Sequence, residues 1–262
     1  MKKIADRINT LARFCGKRDI PELTPEALQK AYGILQADVM VLFGGSILCG
    51  GDVLAQAMKN RIAKTYVIVG GAGHTTQTLR DNMHREFPRI ETYSLPEARI
   101  FANYLRFRYG LEPDYLECDS TNCGNNITNL LKLLKENGVS FQSIILTQDA
   151  TMQHRMEAGL RKFADADVQI INYAAYRAKV IADGDSLTYE VPVWGMWDVE
   201  RYLSLLMGEI PRLSDDENGY GPRGKGFIAH VDIPPEVRVA FEELKQDYAS
   251  LVREANPLYA SK

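Results

Sequence analysis

Five short apolar runs punctuate the chain, and nearly all of them end abruptly in glycine or polar residues. Val39-Met40-Val41-Leu42-Phe43 stops at Gly44-Gly45-Ser46, and Tyr66-Val67-Ile68-Val69 stops at Gly70-Gly71-Ala72-Gly73-His74. A shorter run, Tyr115-Leu116-Glu117-Cys118, leads into Asp119-Ser120-Thr121-Asn122. Ser143-Ile144-Ile145-Leu146-Thr147 leads into Gln148-Asp149, and Val168-Gln169-Ile170-Ile171-Asn172 is the fifth. Runs of this length without alternation suit strands buried on both faces, as in a parallel sheet.

The segments between them carry helical spacing. Ala98, Phe101, Ala102 and Leu105 recur at i, i+3, i+4 and i+7, as do Ile127, Leu130, Leu131 and Leu134. Met152, Met156, Gly159, Leu160 and Phe163 follow nearly the same stripe, and Gly138 stands where a helix cap belongs. Strand, polar loop and helix in repetition predict an α/β, Rossmann-like doubly wound fold around a mainly parallel sheet of about five strands.

The flanks differ. Residues 1–37 read as helices broken between Gly16 and Pro25, where Thr24-Pro25-Glu26 is a helix start. After Asp183-Gly184-Asp185 the rhythm stops. Residues 191–262 read as a Trp-rich helix, a Gly/Asp/Pro-rich loop and a long helix striped by Val237, Ala240, Phe241, Leu244, Tyr248 and Leu251. The expected organisation is N-terminal helices over 1–37, the ligand-binding domain over 38–190, and a small helical and loop subdomain over 191–262 packed on the core.

Composition narrows the function classes. With 262 residues there is room for one large domain, and the 31 basic and 34 acidic residues leave a net charge of -3. Nothing in that balance attracts a polyanion, so nucleic acid is not an expected partner. The four cysteines form no C-x-x-C pair, so no metal is expected and the thiols read as reduced. Met1-Lys2-Lys3 resembles the opening of a signal peptide, but Asp6, Arg7, Arg13 and Lys17 interrupt any apolar core, and no run approaches a membrane span. The expectation is a cytoplasmic protein.

Candidate chemistry sits at the ends of the expected strands, where ligands bind in open α/β sheets. Gly44, Gly45, Gly70, Gly71 and Gly73 permit close backbone approach, Ser46 adds a hydroxyl, and the helix that follows offers free amides. Tight strand-to-helix turns would need the same glycines. Gly71-Ala72-Gly73-His74-Thr75-Thr76 departs from G-x-G-x-x-G at its last position, and no P-loop is present. Ser120, Thr121, Asn122, Asn125 and Asn126 crowd one helix start with more polar groups than a single cap needs. Gln148 and Asp149 end the fourth strand, with Asp149 a candidate general base or ribose partner, or simply a cap. Arg155 is a candidate anion partner or a surface ion pair, and His74 is the best-placed histidine, whereas His84 and His154 read as exposed helix residues. Gly219-Tyr220-Gly221-Pro222-Arg223-Gly224 is a candidate lid, with Tyr220 stacking a ring and Arg223 reaching an anion, or else an ordered surface loop. Glu97 alone would read as a dipole-compensating acid at a helix start.

Taken together, these residues resemble the YdcF/SanA/ElyC-like family, a bacterial group catalogued as a domain of unknown function. The resemblance runs from about Ala37 to Val237. It rests on Gly70-Gly71-Ala72-Gly73-His74, Glu97-Ala98, Ser120-Thr121-Asn122-Cys123-Gly124, and Gln148-Asp149 through Arg155. It is most specific at Val199-Glu200-Arg201-Tyr202-Leu203-Ser204-Leu205-Leu206 and from Gly219 to His230-Val231-Asp232, which mark the YdcF branch. The resemblance implies a Rossmann-like domain with a pocket at the strand ends, S-adenosylmethionine as ligand, and Glu97 as a pocket residue. The family usually has Glu-Asn where this chain has Asn125-Asn126, so a catalytic Glu at that position would be missing here.

Three functions are therefore expected in competition. The first is binding of S-adenosylmethionine or a related nucleoside, extended to a transferase. The second, motivated by the envelope roles of the wider family, is a hydrolase or transferase acting on a phosphorylated nucleotide or lipid-linked sugar. There Glu97, Asp149 and His74 would do acid–base work, Arg155 and Arg223 would hold phosphate, and partners would bring the protein to the membrane. The third is a non-catalytic ligand sensor.

Overall fold

The computed structural model describes residues 1–73 and 75–252. Two helices, α1 (Lys2–Cys15) and α2 (Pro25–Tyr32), precede the sheet. The Thr24 hydroxyl caps α2 by accepting from Ala27 N at 3.2 Å. The chain then alternates through β1 (Ala37–Phe43), α3 (Cys49–Lys59), β2 (Ala63–Val69), α4 (Thr76–Glu86), α5 (Glu97–Tyr109) and β3 (Tyr115–Glu117). It continues through α6 (Cys123–Glu136), β4 (Ser143–Thr147), α7 (Gln153–Phe163) and β5 (Gln169–Asn172).

The five strands form one parallel sheet in the order β3-β2-β1-β4-β5. The architecture is α/β and Rossmann-like. Alternate residues of each strand face opposite layers, which is why β1, β2 and β4 are apolar along most of their length. Met40, Leu42, Ile68 and Ile145 pack with Leu54 of α3 and Phe101 and Leu105 of α5. Val39, Val41, Phe43, Val67 and Leu146 pack with Ile127 and Leu130 of α6 and Met156 and Leu160 of α7. The stripe expected to end at Phe163 ends at Leu160, because Phe163 is largely exposed.

Beyond β5 lies an antiparallel hairpin that the apolar pattern does not predict, β6 (Val180–Asp183) with β7 (Ser186–Tyr189). Its short strands flank the Asp183-Gly184-Asp185 turn that marked the end of the α/β rhythm. The two tryptophans, Trp194 and Trp197, stand in the loop before α8 (Val199–Leu213), not within a helix. Tyr202, Leu206, Met207 and Ile210 of α8 pack with Ile8 and Leu11 of α1. Val237, Phe241 and Leu244 of α9 (Pro235–Tyr248) complete the same cluster. Helices α1, α8 and α9 thus share one core. No described helix is long and apolar enough to cross a membrane.

Loop packing at the strand ends is close. A Cβ added to Gly71 would lie 2.2 Å from the carbonyl oxygen of Ser120 and 2.7 Å from that of Cys118. Both atoms are backbone and cannot swing aside. Gly71→Ala is therefore expected to cost about 1–3 kcal/mol through overpacking. Thermal melting of the two proteins checks this, and an unchanged Tm would contradict it.

Candidate functional site

The strand order places the topological switch between β1 and β4. From β1 the chain moves outward through β2 to β3, then returns to the other side of β1, so the loops after β1 and β4 diverge there. Gly44, Gly45 and Ser46 follow β1; Thr147 ends β4, and Gln148 and Asp149 follow it.

Among the described residues, five buried side-chain atoms have no hydrogen-bond partner: Ser46 Oγ, Thr147 Oγ1, Gln148 Nε2, Asp149 Oδ2 and Glu117 Oε2. All five lie at the carboxyl ends of strands, and four lie at the end of β4 or in the loops after β1 and β4, at the switch. A buried polar group left unmatched costs about 1–3 kcal/mol, so such groups are rare and call for an explanation. Their concentration at one sheet edge is what a polar ligand would relieve.

The other halves of these side chains are firmly held. Asp149 Oδ1 accepts from Thr151 N at 2.8 Å, Thr151 Oγ1 at 2.6 Å and Tyr176 Oη at 2.9 Å. Gln148 Oε1 accepts from Asp149 N at 2.6 Å. Behind them, Gln153 bridges Gln148 N, the Leu146 carbonyl and Asn172 Oδ1, tying the α7 start to β4 and β5. Glu117 Oε1 accepts from Asp119 N, Ser120 N and Asn129 Nδ2, which shapes the loop after β3.

Glu97 sits at the adjoining ends of β1 and β2. Its backbone N donates to the Gly71 carbonyl at 2.9 Å, and Ala98 N donates to that of Gly70 at 2.8 Å. The Glu97 Oε1 accepts from Thr76 at 2.8 Å and Thr75 at 3.2 Å. Its side chain lies against Gly44 and Gly70; a Cβ on Gly44 would come within 2.5 Å of Oε2. Glycine at these positions is what lets a carboxylate occupy the sheet edge.

Burial pushes both carboxyls above their ordinary range. For Glu97 the threonine bonds and Arg80 oppose the shift. For Asp149 the bonds from Thr151 and Tyr176 oppose it and Glu209 adds to it. A carboxyl raised in the folded state keeps its proton longer than in the unfolded chain, so its contribution to stability is full below the ordinary value and is lost as pH rises through the folded pKa. Asp149→Asn cannot titrate and retains an oxygen for the Thr151 and Tyr176 donors. Its Tm should therefore gain on the wild type as pH climbs from about 4. Melting curves between acidic and mildly alkaline pH test this; a gap that stays constant or closes with rising pH would count against it.

The remaining expected residues sort into different roles. Asn122 caps α6 by accepting from Asn125 N at 2.9 Å, while Asn125 Oδ1 accepts from Thr121 Oγ1 and Asn122 Nδ2. Ser120 Oγ accepts from Gly71 N at 3.2 Å, joining the loops after β2 and β3, and Gly73 N donates to Thr76 Oγ1. The backbone N of Asn126 donates to Asn122 O within the first turn of α6. Much of the polar crowding at this helix start is thus spent on the loop itself.

Arg155, expected to meet an anion or lie in a surface pair, instead makes a two-point ion pair with Glu209 of α8, at 2.5 and 2.9 Å. Both side chains are largely buried, at 12% and 7% exposure. Arg223 is 76% exposed and pairs with Asp215 at 3.5 Å. Tyr220 packs edge-on to Phe227, with ring centroids 5.1 Å apart. The loop carrying them is closed by its own backbone bonds, among them Gly221 N to Ser214 O and Lys225 N to Gly219 O. Among the described residues, neither side chain bonds to the switch-point loops. His74 lies outside the described residues. His154, read as exposed, packs edge-on to Phe14 with Nδ1 2.9 Å from the Phe14 carbonyl oxygen, and burial lowers its pKa.

Sequence reasoning passed over Thr147, Thr151, Tyr176, Glu117 and Glu209. Thr147 and Glu117 were visible only as polar residues at the ends of strands; Tyr176 and Glu209 carry no local signal, since their partners lie 27 and 54 residues away. Among the described residues no group of three or more His, Cys, Asp or Glu is placed to hold a metal ion. Two surface clefts, one between α1 and α7 and one along α4, are lined by none of the switch-point residues. No protein-family model matches the chain.

Proposed function

We propose that this protein binds a small nucleoside-like ligand at the carboxyl edge of β1 and β4, with S-adenosylmethionine the first ligand to test. One observation carries the reading: Ser46, Thr147, Gln148 and Asp149 each present a buried, unmatched polar atom at the topological switch. Charge supports a neutral or cationic ligand over a phosphorylated one. Three buried carboxyls, Glu97, Glu117 and Asp149, stand at the strand ends, and three of the nearby arginines are engaged. Arg155 is matched by Glu209, Arg80 donates to the Leu95 carbonyl, and Arg18 donates to the Ala174 carbonyl while its guanidinium lies over the Tyr173 ring. Membership of the YdcF/SanA/ElyC-like family belongs to the same proposal. Turnover as a transferase is a second reading, favoured by two carboxyls at the strand ends that burial raises above their ordinary range.

Calorimetric titration with S-adenosylmethionine, adenosine, a nucleoside diphosphate and a nucleotide sugar tests the proposal, on wild type and Thr147→Val. The valine keeps the shape and removes an unmatched hydroxyl. The expected result is that S-adenosylmethionine or adenosine binds and the phosphorylated compounds bind more weakly. Thr147→Val should weaken binding about tenfold while melting no lower than wild type. Tighter binding of the phosphorylated compounds, indifferent to Thr147→Val, would overturn it in favour of a phosphate site elsewhere.

A further inference from the structure

Gln148 and Asp149 are consecutive, buried and divided in the same manner. Gln148 commits its oxygen to Asp149 N, leaving the amide nitrogen, a donor, unmatched. Asp149 commits Oδ1 to three donors, leaving Oδ2, an acceptor, unmatched. The satisfied halves lock both side chains, so the pair presents one donor and one acceptor in fixed positions. On the β1 side Gln148 faces Gly45, where an added Cβ would lie 3.7 Å from Gln148 Oε1. The Ser46 and Thr147 hydroxyls complete the set, each able to donate or accept.

A phosphate offers acceptors and negative charge. It would satisfy Gln148 but bring its charge against Asp149, whose carboxyl already feels Glu209. Two neighbouring hydroxyls on a ring fit both halves, because one can accept from Gln148 while the other donates to Asp149. In Rossmann folds the acid that holds a ribose ends the second strand; here β2 ends in Val69-Gly70 and the buried acid follows β4 instead.

We infer that Gln148 Nε2 and Asp149 Oδ2 receive the vicinal diol of a sugar ring, the 2′- and 3′-hydroxyls of a ribonucleoside. This rests on the reading that the strand ends hold the ligand. It names the part of the ligand that the loop after β4 recognises, and it makes the chain selective for ribose over deoxyribose.

The test is calorimetric titration of the full chain with adenosine and with 2′-deoxyadenosine, in wild type and in Asp149→Asn. In wild type, deoxyadenosine should bind about ten- to a hundredfold more weakly, since the missing hydroxyl leaves a buried polar atom unmatched. In Asp149→Asn, which puts a donor where the acceptor stood, adenosine should weaken and the ratio fall toward one, with thermal melting confirming that the variant is folded. Equal binding of the two nucleosides to wild type would overturn the diol assignment and leave the strand-end site standing. A ratio that survives in Asp149→Asn would overturn the role of Asp149. Failure of both nucleosides to bind wild type would overturn the diol assignment, and failure of S-adenosylmethionine as well would overturn the site reading.

Discussion

Arg155→Met is expected to destabilise the protein by about 3–5 kcal/mol, the usual result of removing one partner of a buried ion pair. The guanidinium meets both oxygens of Glu209, and the two side chains are nearly sealed from water. Without Arg155, Glu209 is left as an uncompensated buried charge in a region where Asp149 already feels it. The double variant Arg155→Met/Glu209→Leu should recover most of the loss, because neither charge then has to be desolvated. Chemical denaturation of the three proteins reads both outcomes. If Arg155→Met alone is as stable as the wild type, the ion pair does not hold α7 to α8. Had Arg155 been a ligand's anion partner, its removal would cost affinity and little stability, so the same variant separates the two roles.

Gly44→Ala is expected to abolish ligand binding and to lower stability by about 1–3 kcal/mol. The new methyl would stand 2.8 Å from Glu97 Cβ as well as 2.5 Å from Oε2, so rotating the carboxylate away does not relieve the contact. Moving the Glu97 backbone would break the bonds from Glu97 N and Ala98 N to the Gly71 and Gly70 carbonyls, which seat α5 on the end of β2. Adding Glu97→Ala should relieve the oxygen contact, so the double variant should be more stable than the sum of the two single changes requires. Strict additivity in a double-mutant cycle would show that Gly44 and Glu97 do not touch in solution.

How much of this was legible beforehand differs by element. Strands β1, β2 and β4 were readable because a strand covered on both faces needs apolar residues along most of its length, and such runs stand out locally; β3 and β5 stood out less, since Glu117 is charged and Gln169 is exposed. The expected Ser143–Thr147 strand coincides with β4, and Val39–Phe43 differs from β1 only at its start. The hairpin of β6 and β7 escaped notice because its strands are four residues each and half exposed, so neither periodicity nor hydrophobicity marks them. The tryptophans suggested a Trp-rich helix, yet Trp194 serves instead to join the loop before α8 to Phe87 and Tyr104 on the face that carries α3 and α5.

By itself, the sequence determined the parallel α/β sheet, the glycines at its strand ends, and the region where polar chemistry gathers. These follow from local causes: apolar runs, helical spacing, and turns in which a side chain would collide. Only the tertiary structure decided which polar groups are spent and which are free to meet a ligand. Arg155 and Asp149 looked alike as strand-end candidates, but Glu209 satisfies the first from 54 residues away, while Thr151 and Tyr176 satisfy only half of the second. A hydrogen bond or ion pair depends on atoms brought within about 3 Å by the whole fold. Local sequence records that a residue is able to make such a bond, and the packing of distant segments settles whether the bond has already been made.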